Sequence, residues 1–276
     1  MNAATKPAAR GNAGDGRRLF GAALVAVLGA AIWATLAQHA SMDAMGGMPM
    51  PGGWTLSAGW LGPCGWRAGG RAFAAFARMW GAMTVTMMLP VLAPVLWRYR
   101  QCLGPVGAAR AAWLVALVGA GYFTVWMALG ALVFPGGTAL AAVAVRLPAL
   151  AAAMPFAAGA VVLGAGMLQF SGWKARRLAG CRHASDDACE RRPGAAAAIA
   201  WRYGVRTALH CGACCGNLMA VALAAGMMDL RVMAAVTVAI AAERLAPAGE
   251  RVARIVGGLA VGAGAAMIVC AAAGLV

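Results

Sequence analysis

Long uninterrupted apolar stretches, separated by short segments that hold most of the charged residues, constrain this chain more than any other feature. Several of them reach the roughly 20 residues that an α-helix needs to cross a bilayer. Only 11% of the 276 residues are charged and 63% are hydrophobic, whereas soluble domains contain about 25% charged residues. The alternation of polar and apolar residues that is typical of transmembrane barrels is not found. The sequence therefore predicts an all-α membrane protein.

The apolar stretches predict a bundle of about seven transmembrane helices. Residues 1–18 are polar and are expected to form a disordered cytoplasmic head, followed by a single polytopic membrane domain over residues 19–276. The Pro-Gly-Gly sequence at 135–137 is expected to end the third helix. Residues 138–150 are too short to span the bilayer, so they are expected to form a short interfacial or re-entrant helix. The predicted spans are about 19–37, 75–97, 111–134, 151–172, 207–228, 231–246 and 255–275.

The basic residues predict the orientation of these spans. Most of the 23 Lys and Arg residues fall in the N-terminal head and in the segments after even-numbered spans. The positive-inside rule then places the N-terminus in the cytoplasm and the C-terminus outside, in a bacterial inner membrane. The formal charge of +15 is dispersed between apolar stretches. It therefore indicates topology and contact with anionic lipid, and no nucleic-acid partner.

One predicted span begins with a dense group of candidate metal ligands. Because helical neighbours lie three or four residues apart, the group falls on about one side of a helix. The predicted topology puts it at the cytoplasmic mouth, where thiols stay reduced, and nearby arginines are expected to lower the thiol pKa. Three or four such ligands suit copper or, alternatively, zinc. The candidate inner ligands are His210, Cys211, Cys214 and Cys215, with Cys181 and His183 upstream.

A second group of soft ligands lies in the Gly- and Pro-rich segment between the first two spans, which is predicted to be an extracytoplasmic loop. Thioethers need no deprotonation and persist in an oxidising compartment, so a Met-rich tract suits Cu(I) outside the cytoplasm. The alternative is a segment at the level of the lipid headgroups, anchored by tryptophans. The candidate outer ligands are Met42, Met45, Met48 and Met50.

Further residues inside the predicted spans are candidates for a relay between the two groups. Met79, Met83 and Met87 follow a spacing of four and form one thioether stripe along a helix. Such a stripe is either an ion path or ordinary core packing. Met219 and Glu243 are the other candidates. A carboxylate inside a membrane needs a partner, and for Glu243 this is expected to be Arg244, Arg206 or the metal.

Several short motifs occur in a fixed order along the chain. They are Met48-Pro-Met50-Pro-Gly-Gly-Trp54, Met79-Trp80, Met87-Met88-Leu89-Pro90, Gln169, His210-Cys211-x-x-Cys214-Cys215 with Met219, Gly226-Met227-Met228-Asp229-Leu230, and Glu243-Arg244-Leu245-Ala246-Pro247. With them the chain resembles an uncharacterised bacterial family described as predicted metal-binding integral membrane proteins. The resemblance covers roughly residues 40–265. It implies metal handling in a membrane, without an established reaction.

Three functions are open at the level of the sequence. In the first, the protein handles or translocates a soft ion such as Cu(I) between the outer Met tract and the inner Cys/His group, together with a partner protein. The second is a non-catalytic assembly or scaffold subunit of a membrane metalloenzyme complex. The third is a thiol oxidoreductase that uses Cys211 and Cys214. The sequence contains no catalytic constellation beyond these thiols, so a non-enzymatic role is expected.

Overall fold

The computed structural model describes residues 8–45, 47–57, 66–104, 106–186, 196–226 and 229–274. This part of the chain is helical except for one small hairpin and short connections, as the all-α prediction requires. The elements are α1 (Ala8–Met45), β1 (Gly47–Pro49), β2 (Thr55–Ser57), α2 (Trp66–Cys102), α3 (Ala108–Arg146), α4 (Pro148–Gln169), α5 (Gly172–Asp186), α6 (Ala197–Gly226), α7 (Leu230–Leu245) and α8 (Gly249–Ala272).

Six helices of the described chain are long and apolar enough to cross a membrane, judged by length and composition. Helix α7 has 16 residues and is about 24 Å long, which is short for a hydrocarbon core of about 30 Å. The structure therefore supports six long candidate spans, and α7 is the one predicted span that falls short. The six are Gly16–Ser41, Gly69–Cys102, Ala108–Arg146, Pro148–Gln169, Ala197–Gly226 and Gly249–Ala272.

The predicted break after the third span is wrong. Helix α3 continues through Pro135 to Arg146, so residues 138–150 form no separate interfacial or re-entrant helix. The helix ends instead at Leu147, whose backbone is extended and which precedes Pro148, the first residue of α4. A residue before proline is disfavoured in the helical region, whereas an internal proline is tolerated in a packed membrane helix. The short helices of the described chain that lie outside the candidate spans are α5 and α7.

The N-terminal part of the structure also differs from the prediction. Helix α1 begins at Ala8, inside the segment expected to be disordered, and it extends to Met45. The segment predicted as a loop then forms a hairpin in which β1 and β2 are antiparallel. The indole of Trp54 donates a hydrogen bond to the Ala151 carbonyl at 2.9 Å. This contact fixes the hairpin on the corner between α3 and α4.

Glycines allow two pairs of helices to approach closely. A Cβ atom on Gly121 of α3 would lie 2.5 Å from the Trp201 carbonyl oxygen of α6, and one on Gly204 would overlap the Val118 carbonyl. Helices α4 and α8 meet in the same way at Gly159, Gly166, Gly257 and Gly264. Close backbone approach through small residues is typical of helix packing in membranes. These two contacts fix α6 against α3 and α8 against α4.

Large apolar side chains lie both in the core and on the outer surface of this bundle. Helix α2 contributes more residues to the main buried core than any other helix, and its Trp80 indole donates to the Trp126 carbonyl of α3 at 2.8 Å. Large apolar side chains such as Trp33, Leu132 and Leu259 remain exposed. An extensive apolar surface is unfavourable in water but is expected where helices face lipid. The exposed residues and the long helices are compatible with a membrane protein.

Candidate metal centre

Helix α6 carries three cysteines on its buried side. Because α6 begins at Ala197 and not near Thr207, Cys211 lies near the middle of the helix, about 21 Å from its start. The structure thus differs from the prediction that the cysteines stand at the first turn of the span. The buried residues follow the period of one helical face. They are Ala200, Gly204, Ala208, Cys211, Cys214, Cys215, Leu218, Met219 and Ala222.

The first thiol pair consists of Cys211 and Cys215, whose sulfur atoms are 3.6 Å apart. The Tyr122 hydroxyl of α3 donates a hydrogen bond to the Cys211 sulfur at 3.1 Å. The Cys215 thiol donates to the Cys211 carbonyl at 3.0 Å. Groups from α3 and α6 therefore meet at one buried sulfur atom.

The second thiol pair consists of Cys181 of α5 and Cys214 of α6, which lie in one small buried cluster with Leu178 and Ala253. Cys181 donates to the His210 carbonyl at 3.1 Å. Interaction with the Cys214 thiol and burial raise the pKa of the Cys181 thiol well above its ordinary value. The pKa of Cys181 is therefore not lowered by nearby arginines as expected, because the attraction of Arg244 is the smaller effect.

The histidines do not join the thiols in the described structure. The His210 side chain is exposed, so only its backbone carbonyl contacts the cluster. The side chain of His183 lies outside the described residues. No group of three or more His, Cys, Asp or Glu side chains in the described part of the chain is arranged to hold a metal ion. The predicted Cys/His set is thus present as two adjacent thiol pairs.

A buried ion pair lies directly beside the thiols. The Lys174 ammonium of α5 is 2.8 Å from the Glu243 carboxylate of α7, and both side chains are almost completely buried. Lys174 also donates to the Cys214 carbonyl at 2.7 Å and to the Asn217 side chain at 3.3 Å. The Gln169 amide donates to Glu243 at 2.7 Å. The expected partners of Glu243, Arg244 and Arg206, are thereby replaced by Lys174 and Gln169.

The methionines that were predicted as ligands or relay residues lie in two separate parts of the structure. Met79, Met83 and Met87 are buried on α2, and they share one contiguous core with Met219, Cys211 and Cys215. In the hairpin, Met48 is exposed, whereas Met50 packs against Ala141, Ala144 and Ala151 of α3 and α4. The side chains of Met42 and Met45 lie outside the described residues. The structure therefore places the inner methionines in the same core as Cys211 and Cys215, and the hairpin methionine Met50 in a separate cluster.

Comparison with known protein families identifies the family to which the chain belongs. A family model described as PpoB2, copper chaperone, matches residues 77–267, which is well over half of the chain. The chain belongs to this copper chaperone family. The match includes every cysteine of the two thiol pairs, the α2 methionines and the Lys174–Glu243 pair. It does not include the hairpin or the outer Met tract.

Membership in the copper chaperone family agrees with the metal-related family that the sequence motifs indicated, and the description of the family names copper. The long apolar helices are compatible with a membrane location for this member of the family. No curated protein and no solved structure matches the chain. The roles of individual residues in this family member therefore have to be argued from its own geometry.

Two residues of the site, Lys174 and Tyr122, were not predicted. The sequence contains a feature that could have singled out Lys174, because Lys174 and Lys6 are the only lysines among the 23 basic residues. A lone lysine that follows an apolar span differs from arginines that orient the chain, since lysine is a compact donor that can be buried. For Tyr122 we find no comparable signal, because tyrosine also occurs in membrane helices as ordinary packing.

Proposed function

We propose that the protein binds Cu(I) at the four thiols of Cys181, Cys211, Cys214 and Cys215 and transfers it within a membrane to a partner protein. Thiol sulfur is a soft ligand that prefers Cu(I) over hard cations. Membership in the copper chaperone family supports copper as the cargo. The single observation that carries the proposal is the burial of four free thiols, one on α5 and three on the buried side of α6.

The spacing within the first pair suits a shared ion. Two thiolates on one tetrahedral zinc, with bonds of about 2.3 Å, are separated by roughly 3.8 Å. The Cys211 and Cys215 sulfurs are 3.6 Å apart, so they need little movement to bind one metal. This spacing alone fits zinc as well as copper. The family supports copper, and zinc remains the alternative that the experiment below distinguishes.

We further propose a route for the ion between the two compartments of a bacterial inner membrane. The ion would be collected or released by Met48 and Met50 with Met42 and Met45, pass along the α2 stripe of Met79, Met83 and Met87, and reach the thiols. The shared core of this stripe with Met219, Cys211 and Cys215 supports its inner part. In this proposal the N-terminus is cytoplasmic and the C-terminus extracytoplasmic. The lipid bilayer, the metal ion and an acceptor protein are then the partners of the chain.

The test is elemental analysis of the full-length protein purified in detergent under reducing conditions. We expect stoichiometric copper in the wild type and its loss in the triple variant Cys211→Ser/Cys214→Ser/Cys215→Ser. The matched control is Cys270→Ser, because Cys270 is a free cysteine of α8 outside the thiol pairs. This variant should keep its copper.

Two results would refute the proposal in different ways. Stoichiometric zinc in the wild type would favour a structural metal in an assembly or scaffold subunit. Absence of metal, together with a titratable disulfide between Cys211 and Cys214, would favour a thiol oxidoreductase. The structure pairs Cys211 with Cys215, whose sulfur atoms are 3.6 Å apart, and this pairing does not favour that disulfide.

A further inference from the structure

The hydroxyl of Tyr122 reaches the thiol site from α3. It donates a hydrogen bond to the Cys211 sulfur at 3.1 Å, and the Tyr122 side chain is almost completely buried. Phenylalanine would fill nearly the same space, whereas a buried tyrosine hydroxyl needs a hydrogen-bond partner. The hydroxyl at this position therefore serves the contact with Cys211 and not packing alone.

Close packing of α3 against α6 fixes the position of this hydroxyl. A Cβ atom on Gly204 of α6 would lie 3.0 Å from the Tyr122 backbone nitrogen and would overlap the Val118 carbonyl. Cys211 lies two helical turns after Gly204 on the same buried face of α6. The backbone that carries Tyr122 is thus held directly against the helix that carries Cys211.

The two thiols of the first pair make different hydrogen bonds. The Cys211 sulfur accepts the hydroxyl of Tyr122, whereas the Cys215 thiol donates its own hydrogen to the Cys211 carbonyl at 3.0 Å. Their sulfur atoms are 3.6 Å apart, so one ion can contact both. The pair is therefore asymmetric before any metal binds.

Metal binding changes these two hydrogen bonds in opposite directions. Each thiol that ligates the ion releases its proton to solvent, and copper stays Cu(I). A neutral thiol sulfur is a weak acceptor, but a hydrogen bond to a charged acceptor is about twice as strong as a neutral one. The bond from Tyr122 to Cys211 therefore strengthens, while Cys215 loses the hydrogen with which it bonds the carbonyl. Binding is consequently more favourable at Cys211 than at Cys215.

We infer that Tyr122 is a positioning residue that makes Cys211 the stronger of the two Cu(I) ligands in this pair. The inference rests on the proposed function, because it requires Cu(I) to bind at these thiols. The hydroxyl acts through the sulfur that it contacts and is not itself a ligand. Since this hydrogen bond is weak in the metal-free protein, its loss should lower the Cu(I) affinity much more than the stability of the fold.

The experiment measures the Cu(I) affinity of the detergent-purified full chain under reducing conditions, by competition with a chromogenic Cu(I) chelator. Cys211→Ser and Cys215→Ser are each prepared with Tyr122 and with Tyr122→Phe. Serine keeps a hydroxyl that can take over the existing hydrogen bonds, so helix packing is preserved. Tyr99→Phe is the matched control, because Tyr99 is a buried tyrosine of α2 whose hydroxyl has no hydrogen-bond partner in the described structure.

We expect Tyr122→Phe to weaken Cu(I) binding several-fold, toward the lower end of the about 10- to 100-fold loss that is usual for residues supporting a metal ligand. Thermal unfolding of the metal-free protein should be nearly unchanged, and Tyr99→Phe should keep its affinity. Cys211→Ser should lose several-fold more affinity than Cys215→Ser. In the phenylalanine background this difference should vanish, because the hydroxyl that causes it is absent.

Three results would overturn the inference. They are equal losses for the two serine variants, a difference between them that persists with Tyr122→Phe, and an equal effect of Tyr122→Phe on both serine variants. Size-exclusion profiles check folding, and Tyr122→Leu replaces Tyr122→Phe if the latter does not give a single species. A wild type that binds no Cu(I) would instead refute the proposed function.

Discussion

Replacing Lys174 by methionine tests whether the buried ion pair holds the thiol site together. The ammonium of Lys174 has three N–H donors, and the structure provides three acceptors: the Glu243 carboxylate, the Cys214 carbonyl and the Asn217 side chain. These acceptors lie on α6 and α7, while Lys174 lies on α5. Methionine has a similar length but no charge, so the substitution removes all three bonds without a large change in volume.

The expected loss follows from burial. Both side chains of the pair are exposed by only 1–2%, so water cannot solvate the Glu243 carboxylate that remains. Removing one partner of a buried ion pair costs about 3–5 kcal/mol in the free energy of unfolding. Removing both charges, in Lys174→Met/Glu243→Gln, avoids a buried carboxylate that has lost its ion-pair partner. The remaining loss should then be about 1–2 kcal/mol, the contribution of one or two hydrogen bonds.

The measurement is reversible unfolding of the purified protein in mixed detergent micelles, followed by the circular dichroism signal of the helices. The wild type is compared with Lys174→Met, Glu243→Gln and the double variant. Arg176→Met is the matched control, because Arg176 is exposed on the same helix and such a substitution should change stability by about 0.5 kcal/mol or less. If Lys174→Met is no less stable than this control, or if the double variant shows the summed loss of the two singles, the reasoning is refuted.

Two further predictions concern packing and the contacts of Cys211. Gly204→Ala should destabilise the protein by about 1–3 kcal/mol, because its methyl group meets backbone of α3, whereas Gly212→Ala has free space on the same helix and should be neutral or stabilising in thermal unfolding. Tyr122→Phe removes the hydroxyl that donates to Cys211 and should weaken Cu(I) binding several-fold in chelator competition. Tyr99→Phe removes a buried hydroxyl that has no hydrogen-bond partner in the described structure, so its Cu(I) affinity and stability should not fall.

The sequence was sufficient for features that depend on local patterns. Apolar length and low charge predict the helical class, because a bilayer sets how long an apolar helix must be. The i, i+4 spacing correctly brought Cys211 and Cys215 together, since residues four apart are neighbours on a helix. His210 was expected on the same side as the thiols, but its exposure is explained by helical geometry. At about 100° per residue, His210 lies roughly 90° away from the centre of the face formed by Cys211, Cys214 and Cys215.

Features that depend on tertiary packing could not be predicted. Glu243 has Arg244 beside it in sequence, and a neighbouring charge was the natural expectation. Its partner is Lys174, which approaches from another helix, and no pattern along one helix specifies such a contact. The continuation of α3 through Pro135 is similar. Whether a proline ends a membrane helix depends on the helices packed around it, which can satisfy the freed backbone groups.

The position of α7 links these contacts to the thiol site. Helix α7 is about 24 Å long, and its last turn lies near the middle of α6, where Lys174 bonds both the Glu243 carboxylate and the Cys214 carbonyl. Lys174 therefore joins α7 to the backbone that carries Cys214. The ion pair and this part of the thiol site are consequently one unit, and loosening the ion pair should weaken copper binding as well as stability.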